Sequence, residues 1–429
     1  MKGCFSITGS STENVFRLQE LYGINYDRDD KNNKRTEMTK MTGNPFYARG
    51  PVEPQYFANR RELLQFFIQN VEDASQNKNT KPDNITILGN WGIGKTSTLL
   101  KFQDIIHDDK KDAINVFSVL FPLKPSVCES ADVFTYSLLD AISKQYSISI
   151  PLKDRIGAVI KEEAKIWEQW KLESISLSPE LRRKSRKLDL VDALTRLWSK
   201  LENKGIDLVV IMIDDIHYML TEGWSGSLYD LRTDIQALAT GGTKYLFIIT
   251  GPKFIYPSMH EMAEPFTRLF ERFELNNFDL AGTREAITKP LRIAGIHLEI
   301  SDDVIAQIQN ITDGHPYFIA GMMRDILRIH KKETLTLYEF EQIKPGLIEH
   351  LARTKFEDDY NKATDTEKQI LLNCAQLKNK IFSPSEIENK SRSKLLERLA
   401  NKELLVKLER GKYSLYHPLF KEYLNNISQ

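Results

Sequence analysis

Eight consecutive residues, Gly89 to Thr96, read G-N-W-G-I-G-K-T, and their types and spacing suit the holding of a polyphosphate. Glycines let the backbone curl until the N–H groups of Gly89, Asn90, Trp91, Gly92, Ile93 and Gly94 line one concavity, an anion nest opening into a helix N-terminus. Lys95 would reach the β- and γ-phosphates, the Thr96 hydroxyl would ligate Mg²⁺, and Ser97 carries the cradle into the helix. The motif follows an apolar run, Ile85–Leu88, and precedes a helical one, as a phosphate loop requires. The nucleotide expected is ATP or ADP.

Such a loop needs a carboxylate on a neighbouring strand for the metal. Residues 206–217, I-D-L-V-V-I-M-I-D-D-I-H, provide a buried apolar strand ending in Asp214 and Asp215. Asp214 would hold the Mg²⁺ through water, and Asp215 would polarise an attacking water. The run Y-L-F-I-I-T-G ends in Thr250, a polar strand tip suited to sensing the γ-phosphate. Arg268 and Arg272, in F-T-R-L-F-E-R-F-E-L, precede a further strand; an arginine there can reach a neighbouring subunit's phosphate, or serve as an ordinary ion-paired surface residue.

The elements that must position these groups alternate short β-rich runs with amphipathic helices, the pattern of a mainly parallel sheet. Strands are expected at Ile85–Leu88, Ile114–Phe121, Leu208–Ile213, Tyr245–Thr250 and Arg272–Leu275. The fold class is α/β: a P-loop NTPase parallel sheet of the ASCE type, with a helical lid and a C-terminal winged helix-turn-helix. The polar segment 1–45 reads as an N-terminal extension, 46–278 as the NTPase core with a helical insertion at about 150–187, 279–355 as lid and connector, and 356–429 as the winged helix. In that last part, Thr364-x-x-Glu367 and Ser383-Pro384-Ser385-Glu386 are capping boxes opening two helices. Ser391 opens a third, and Arg410-Gly411 turns a β-hairpin.

Taken together, Y-F-A-N-R-R-E-L-L-Q-F-F (56–67), G-N-W-G-I-G-K-T-S-T-L-L, V-V-I-M-I-D-D, F-I-I-T-G and T-D-G-H-P-Y-F-I resemble the archaeal-type AAA ATPases, which border the origin-recognition-type initiators and the STAND signalling ATPases. The likeness covers about residues 50–429. It implies that Phe57 and Arg60 help cradle the adenine, with Arg61 where an acid is usual, and that Gly314-His315-Pro316 couples nucleotide to the lid, with Pro316 against the nucleotide. Asp215 is shorter than the glutamate frequent in related ATPases, which implies slow hydrolysis.

Residues 378–412 hold ten basic side chains against five acidic ones in a chain whose 59 basic and 59 acidic residues otherwise cancel. Arg392, Arg398 and Lys402 on the third helix, and Arg410 and Lys412 on the wing, are where a winged helix meets duplex DNA. Winged helices also dock proteins, so a protein partner or self-association stays open, as does a signalling switch in place of a DNA transaction. The basic run Arg182–Lys187 is a second candidate. No run is long enough to span a bilayer, the N-terminus lacks a signal-peptide apolar core, and the three scattered cysteines suit a reducing compartment, so a cytoplasmic protein is expected.

Overall fold

A computed structural model of the chain describes residues 43–77, 80–107, 115–146, 153–176, 189–221, 223–224, 226–253, 255, 268–388, 391–409 and 411–428. Most of the N-terminal extension, the basic run Arg182–Lys187 and Arg410 lie outside the described residues.

In chain order the first part comprises α1 (Arg61–Gln76), β1 (Asn84–Leu88), α2 (Lys95–Ile106), β2 (Val116–Pro122), α3 (Ala131–Gln145), α4 (Lys153–Ser176), α5 (Leu190–Glu202), β3 (Leu208–Asp214), α6 (His217–Thr221), α7 (Ser227–Thr240), β4 (Tyr245–Gly251) and β5 (Phe270–Glu274). The five strands pair in parallel in the order β2-β3-β4-β1-β5. Strand β3 shows why the sheet is buried on both faces. Val209, Ile211 and Ile213 pack with α3, α5 and α7 in one apolar cluster, while Leu208, Val210 and Met212 pack with α1 and α2 in another. Period-two alternation of apolar with apolar is what a covered parallel strand demands. Within the expected insertion, α4 buries Ile156, Ile160 and Trp167 against the same core as α3 and α5.

Strand β4 stands between β1, which feeds the glycine-rich loop, and β3, which ends in the acids. Parallel pairing brings the loop, Asp214, Asp215 and Thr250 to the carboxyl edge of one sheet, the edge at which open α/β sheets bind ligands. This is the α/β fold of a P-loop NTPase. The strand limits shift by one or two residues from those expected; the fifth begins at Phe270, two residues before Arg272.

The second part runs α8 (Leu280–Ile293), β6 (Glu299–Ile300), α9 (Asp302–Thr312), α10 (Pro316–Ile329), β7 (Thr334–Leu335), α11 (Leu337–Leu351), a π-helical turn (Ala352–Phe356), α12 (Glu357–Asn361), α13 (Asp365–Gln376), a 3₁₀ turn (Pro384–Glu386), α14 (Arg392–Asn401), β8 (Leu405–Glu409), β9 (Lys412–Leu415) and α15 (Pro418–Ile427). One apolar cluster runs through all of it, from Phe278 and Ile287 through Phe318, Phe340 and Phe356 to Leu396, Phe420 and Leu424. Both capping boxes form, yet the second opens a single 3₁₀ turn instead of a helix. Ile387 leaves helical dihedrals to bury its side chain, and Phe382 exchanges two 2.9 Å backbone hydrogen bonds with Tyr413, drawing the preceding segment onto the hairpin. No helix of the described residues is long and apolar enough to cross a membrane.

Candidate nucleotide site

Gly92 and Gly94 adopt φ of +70° and +102°, left-handed values that favour glycine. At Gly92 a Cβ would also lie 3.0 Å from the Tyr317 Cβ and 3.1 Å from the His315 ring, so the loop is closed down by the start of α10. The loop then enters α2 with Lys95 as its first residue. The Lys95 Nζ donates to the carbonyls of Gly89 (2.9 Å) and Asn90 (3.2 Å), holding the ammonium over the loop it belongs to. Thr96 Oγ1 donates to Asp214 Oδ2 at 2.7 Å, so two oxygens from different elements meet at one point. Among the described residues no cluster of three or more His, Cys, Asp or Glu could hold a metal. Two hard oxygen donors suit Mg²⁺, which commonly takes one or two protein ligands and completes its shell with water and substrate phosphates.

Thr250 is fully buried, and its hydroxyl donates to Asp214 Oδ1 while accepting the Asp215 N–H at 3.1 Å. The hydroxyl is thus bound to both aspartates rather than standing free at a strand tip. Asp215 has φ of +61°, a costly geometry for a residue with a Cβ. Burial, reinforced by the Asp214 charge, pushes its carboxyl up to about 6, while Lys95 opposes the shift. His217 Nδ1 lies 3.6 Å from the Asp215 carboxylate, and burial together with the Lys95 charge pulls this imidazole down to about 4. A carboxylate with a raised pKa beside a neutral imidazole is suited to receiving a proton from water.

A cleft of about 650 Å³ leads away from the loop, past Phe57, Arg60, Phe278 and Pro316. Phe57 is buried beneath it. Asn59 and Arg60 both have positive φ, 63° and 62°, and α1 begins only at Arg61. That kink turns the Arg60 guanidinium back to the Ile93 carbonyl (3.3 Å) and over the Phe278 ring, 4.7 Å from its centroid. Burial lowers Arg60 to about 10, and it stays a cation. Arg61 points elsewhere, to Glu285 at 3.3 Å.

Gly314, His315 and Pro316 each have a distinct task. Gly314 has φ of +68°, and a Cβ there would sit 2.0 Å from the Phe278 carbonyl. His315 is buried, and its Nε2 donates to the Trp91 carbonyl at 3.1 Å. Burial, with the neighbouring His417, pulls it down to about 3, so the ring is neutral and the carbonyl contact requires the Nε2–H tautomer. Pro316 starts α10 where its missing N–H costs nothing.

Three residues at this site carried no sequence signal. Tyr317 packs edge-on against Trp91, with centroids 4.6 Å apart. Lys355, in the π turn, places its ammonium 3.6 Å from the Trp91 ring centroid and bonds Asp359 at 2.7 Å. Asp359, buried, also accepts from Lys362 (2.6 Å) and from the Tyr416 hydroxyl (2.6 Å) at the end of the hairpin. Glu403, after α14, is the third. Only the tertiary fold brings Tyr317 and Lys355, more than two hundred positions away in sequence, onto Trp91.

The other expected contacts are placed differently. Phe270 pairs with Asn84 at the start of β1, so Arg268 lies at the sheet edge opposite the phosphate loop and cannot reach this chain's own nucleotide. Arg272 pairs with Glu274 on the same strand. In the C-terminal part, Lys402 donates to the buried carboxylate of Glu367 (2.6 Å) and to the Lys362 carbonyl (2.9 Å), and Arg398 meets Glu367 at 3.0 Å. Arg392 donates to the Ile387 carbonyl at 3.1 Å. These charges are engaged inside their own unit; Lys412 lies on the hairpin, at the start of β9.

No protein-family model matches the chain, and no curated protein matches it. Solved structures do. A Walker-type ATPase of Pyrococcus abyssi superposes with a TM-score of 0.55 at 17% identity, over 88% of this chain and 99% of that one. ORC2 of Aeropyrum pernix in ADPNP–ADP complexes gives 0.53 at 12% identity, over 85% and 92%. Its ADP form gives 0.51 at 14%, over 89% and 96%. At such identities the likeness establishes a common fold along most of the chain.

Proposed function

We propose that the chain is a Mg–ATP-binding P-loop ATPase whose nucleotide state sets the position of its C-terminal unit. The observation that carries this reading is the meeting of Thr96, Asp214 and Lys95 at the carboxyl edge of the sheet, joined to a cleft lined by Phe57, Arg60 and Pro316. Bound Mg²⁺ would supply charge neutralisation at the phosphates. The backbone N–H groups of the loop bind the phosphates, Lys95 exchanges its two carbonyl partners for them, and Thr250 keeps Asp214 oriented. Asp215 takes the proton of the attacking water, and its short reach and strained backbone favour slow turnover. The nucleotide complexes named for the Aeropyrum pernix ORC2 structures support a nucleotide at the matching place here.

Binding at about 100 times the dissociation constant adds roughly 2.7 kcal/mol of stability. Wild type should therefore melt higher with Mg–ATP, and Lys95→Ala should lose that gain; a shift that persists in Lys95→Ala removes the proposed site. Duplex DNA is the partner proposed for the C-terminal unit, through the exposed charges Lys378, Lys380 and Lys394 rather than through Lys402. Arg268 and Arg272 belong to this reading only as groups offered to a second copy of the chain.

A further inference from the structure

Beside the phosphate loop lies a second cavity, bounded on one side by Asn90 and Trp91 and on the other by Lys355, Lys402 and Glu403. Glu403 therefore comes from the C-terminal unit yet borders the catalytic edge of the sheet. Its backbone explains how. After α14 ends, the Glu403 N–H bonds the Ala400 carbonyl (2.9 Å) and the Leu404 N–H bonds the Leu399 carbonyl (3.0 Å), the paired closure of a helix C-terminus that ordinarily takes glycine. Glutamate occupies the left-handed position instead, with φ of +57°. A left-handed residue with a side chain is disfavoured, and such outliers gather where a side chain has work to do.

The work is electrostatic. The Glu403 carboxyl lies within the field of Lys95 as well as Lys355 and Lys362, and its charge is felt in turn at Asp215. Leu404 and Leu405 on either side of the hairpin entry are buried, so the turn is anchored and Glu403 cannot swing away without moving the unit.

We propose that Glu403 is the residue by which the site tells a nucleoside diphosphate from a triphosphate: its carboxylate brings a negative charge from the C-terminal unit into the cavity that borders the phosphate loop at Asn90 and Trp91. A third phosphate meets that charge and must displace it, together with the turn that carries it, whereas a diphosphate ends short of it. The inference rests on the nucleotide reading above and adds to it a named residue and a direction of preference.

The test measures Mg–ADP and Mg–ATPγS affinities calorimetrically for wild type, Glu403→Gln, Glu403→Asp and Lys95→Ala. Glu403→Gln keeps the shape and removes the charge. It should tighten ATPγS relative to ADP by roughly tenfold, the scale of a single like charge whose field is largely screened by water. Glu403→Asp should keep a ratio near wild type. If Glu403→Gln leaves the ratio unchanged, whether by moving both affinities or neither, the inference is overturned. Loss of both nucleotides in Lys95→Ala alongside an unchanged ratio in Glu403→Gln would leave the nucleotide site standing and remove only the role of Glu403. Absence of binding in wild type would remove both.

Discussion

The phosphate loop and the C-terminal unit both concentrate charge, but they spend it differently. Lys95 is held by carbonyls five and six residues away in its own loop, and Thr96 by a strand end whose position the sheet dictates. Arg398 and Lys402, by contrast, converge on Glu367, a carboxylate from another helix whose side chain is inaccessible to solvent. A motif built from neighbouring residues keeps its meaning in the fold. A cluster of like charges spread along a helix does not, because each member can be captured by whatever the tertiary structure places opposite it.

The largest effect should come from the joint between the two regions. Gly314→Ala puts a Cβ against the Phe278 carbonyl at a left-handed residue, and the strain alone is about 1–3 kcal/mol before the clash is relieved. A fall in stability of about 3 kcal/mol or more is expected in denaturant titration. A near-neutral outcome would mean that the turn before α10 is not packed against the Phe278 carbonyl as described.

Next is Glu367→Gln. It leaves Lys402 and Arg398 facing an uncharged amide and weakens the box that caps α13, so a loss of about 2 kcal/mol is expected from thermal or chemical unfolding. Stability within a few tenths of wild type would instead return these cations to the solvent-facing role expected from sequence.

The smallest effect sharpens the same contrast on DNA. Each phosphate contact contributes about 0.9 to the slope of log affinity against log salt. Neutralising Lys378, Lys380 and Lys394 together should therefore flatten the slope by about 2 to 3, while Lys402→Gln should leave it where it was. A slope that follows Lys402 and ignores the other three would reverse the assignment of spent and available charge.

The nucleotide cradle was legible because its information is local. Glycines at Gly92 and Gly94 are required by left-handed backbone, and Asp214 is announced by the apolar strand before it. Lid helices and the hairpin were likewise marked by period, by Pro316 and by Gly411. The second helix of the C-terminal unit was misread because a capping box is satisfied by one turn as well as by a long helix, and Ile387 gains more from burial than from continuing it. Tyr317, Lys355 and Glu403 had no signal, since nothing in N-K-E-L-L or R-T-K-F says what lies across the cavity.

By itself, the sequence determined the order of elements, the glycine-rich loop and the acids on the neighbouring strand, because hydrophobic period and glycine geometry act over a few residues. Only the tertiary structure decided that His315 is a buried neutral donor to the loop, that Arg398 and Lys402 serve Glu367, and that Glu403 shares a cavity with Asn90 and Trp91. Those outcomes depend on burial and on charges brought together from distant parts of the chain, and both are properties of the packed molecule.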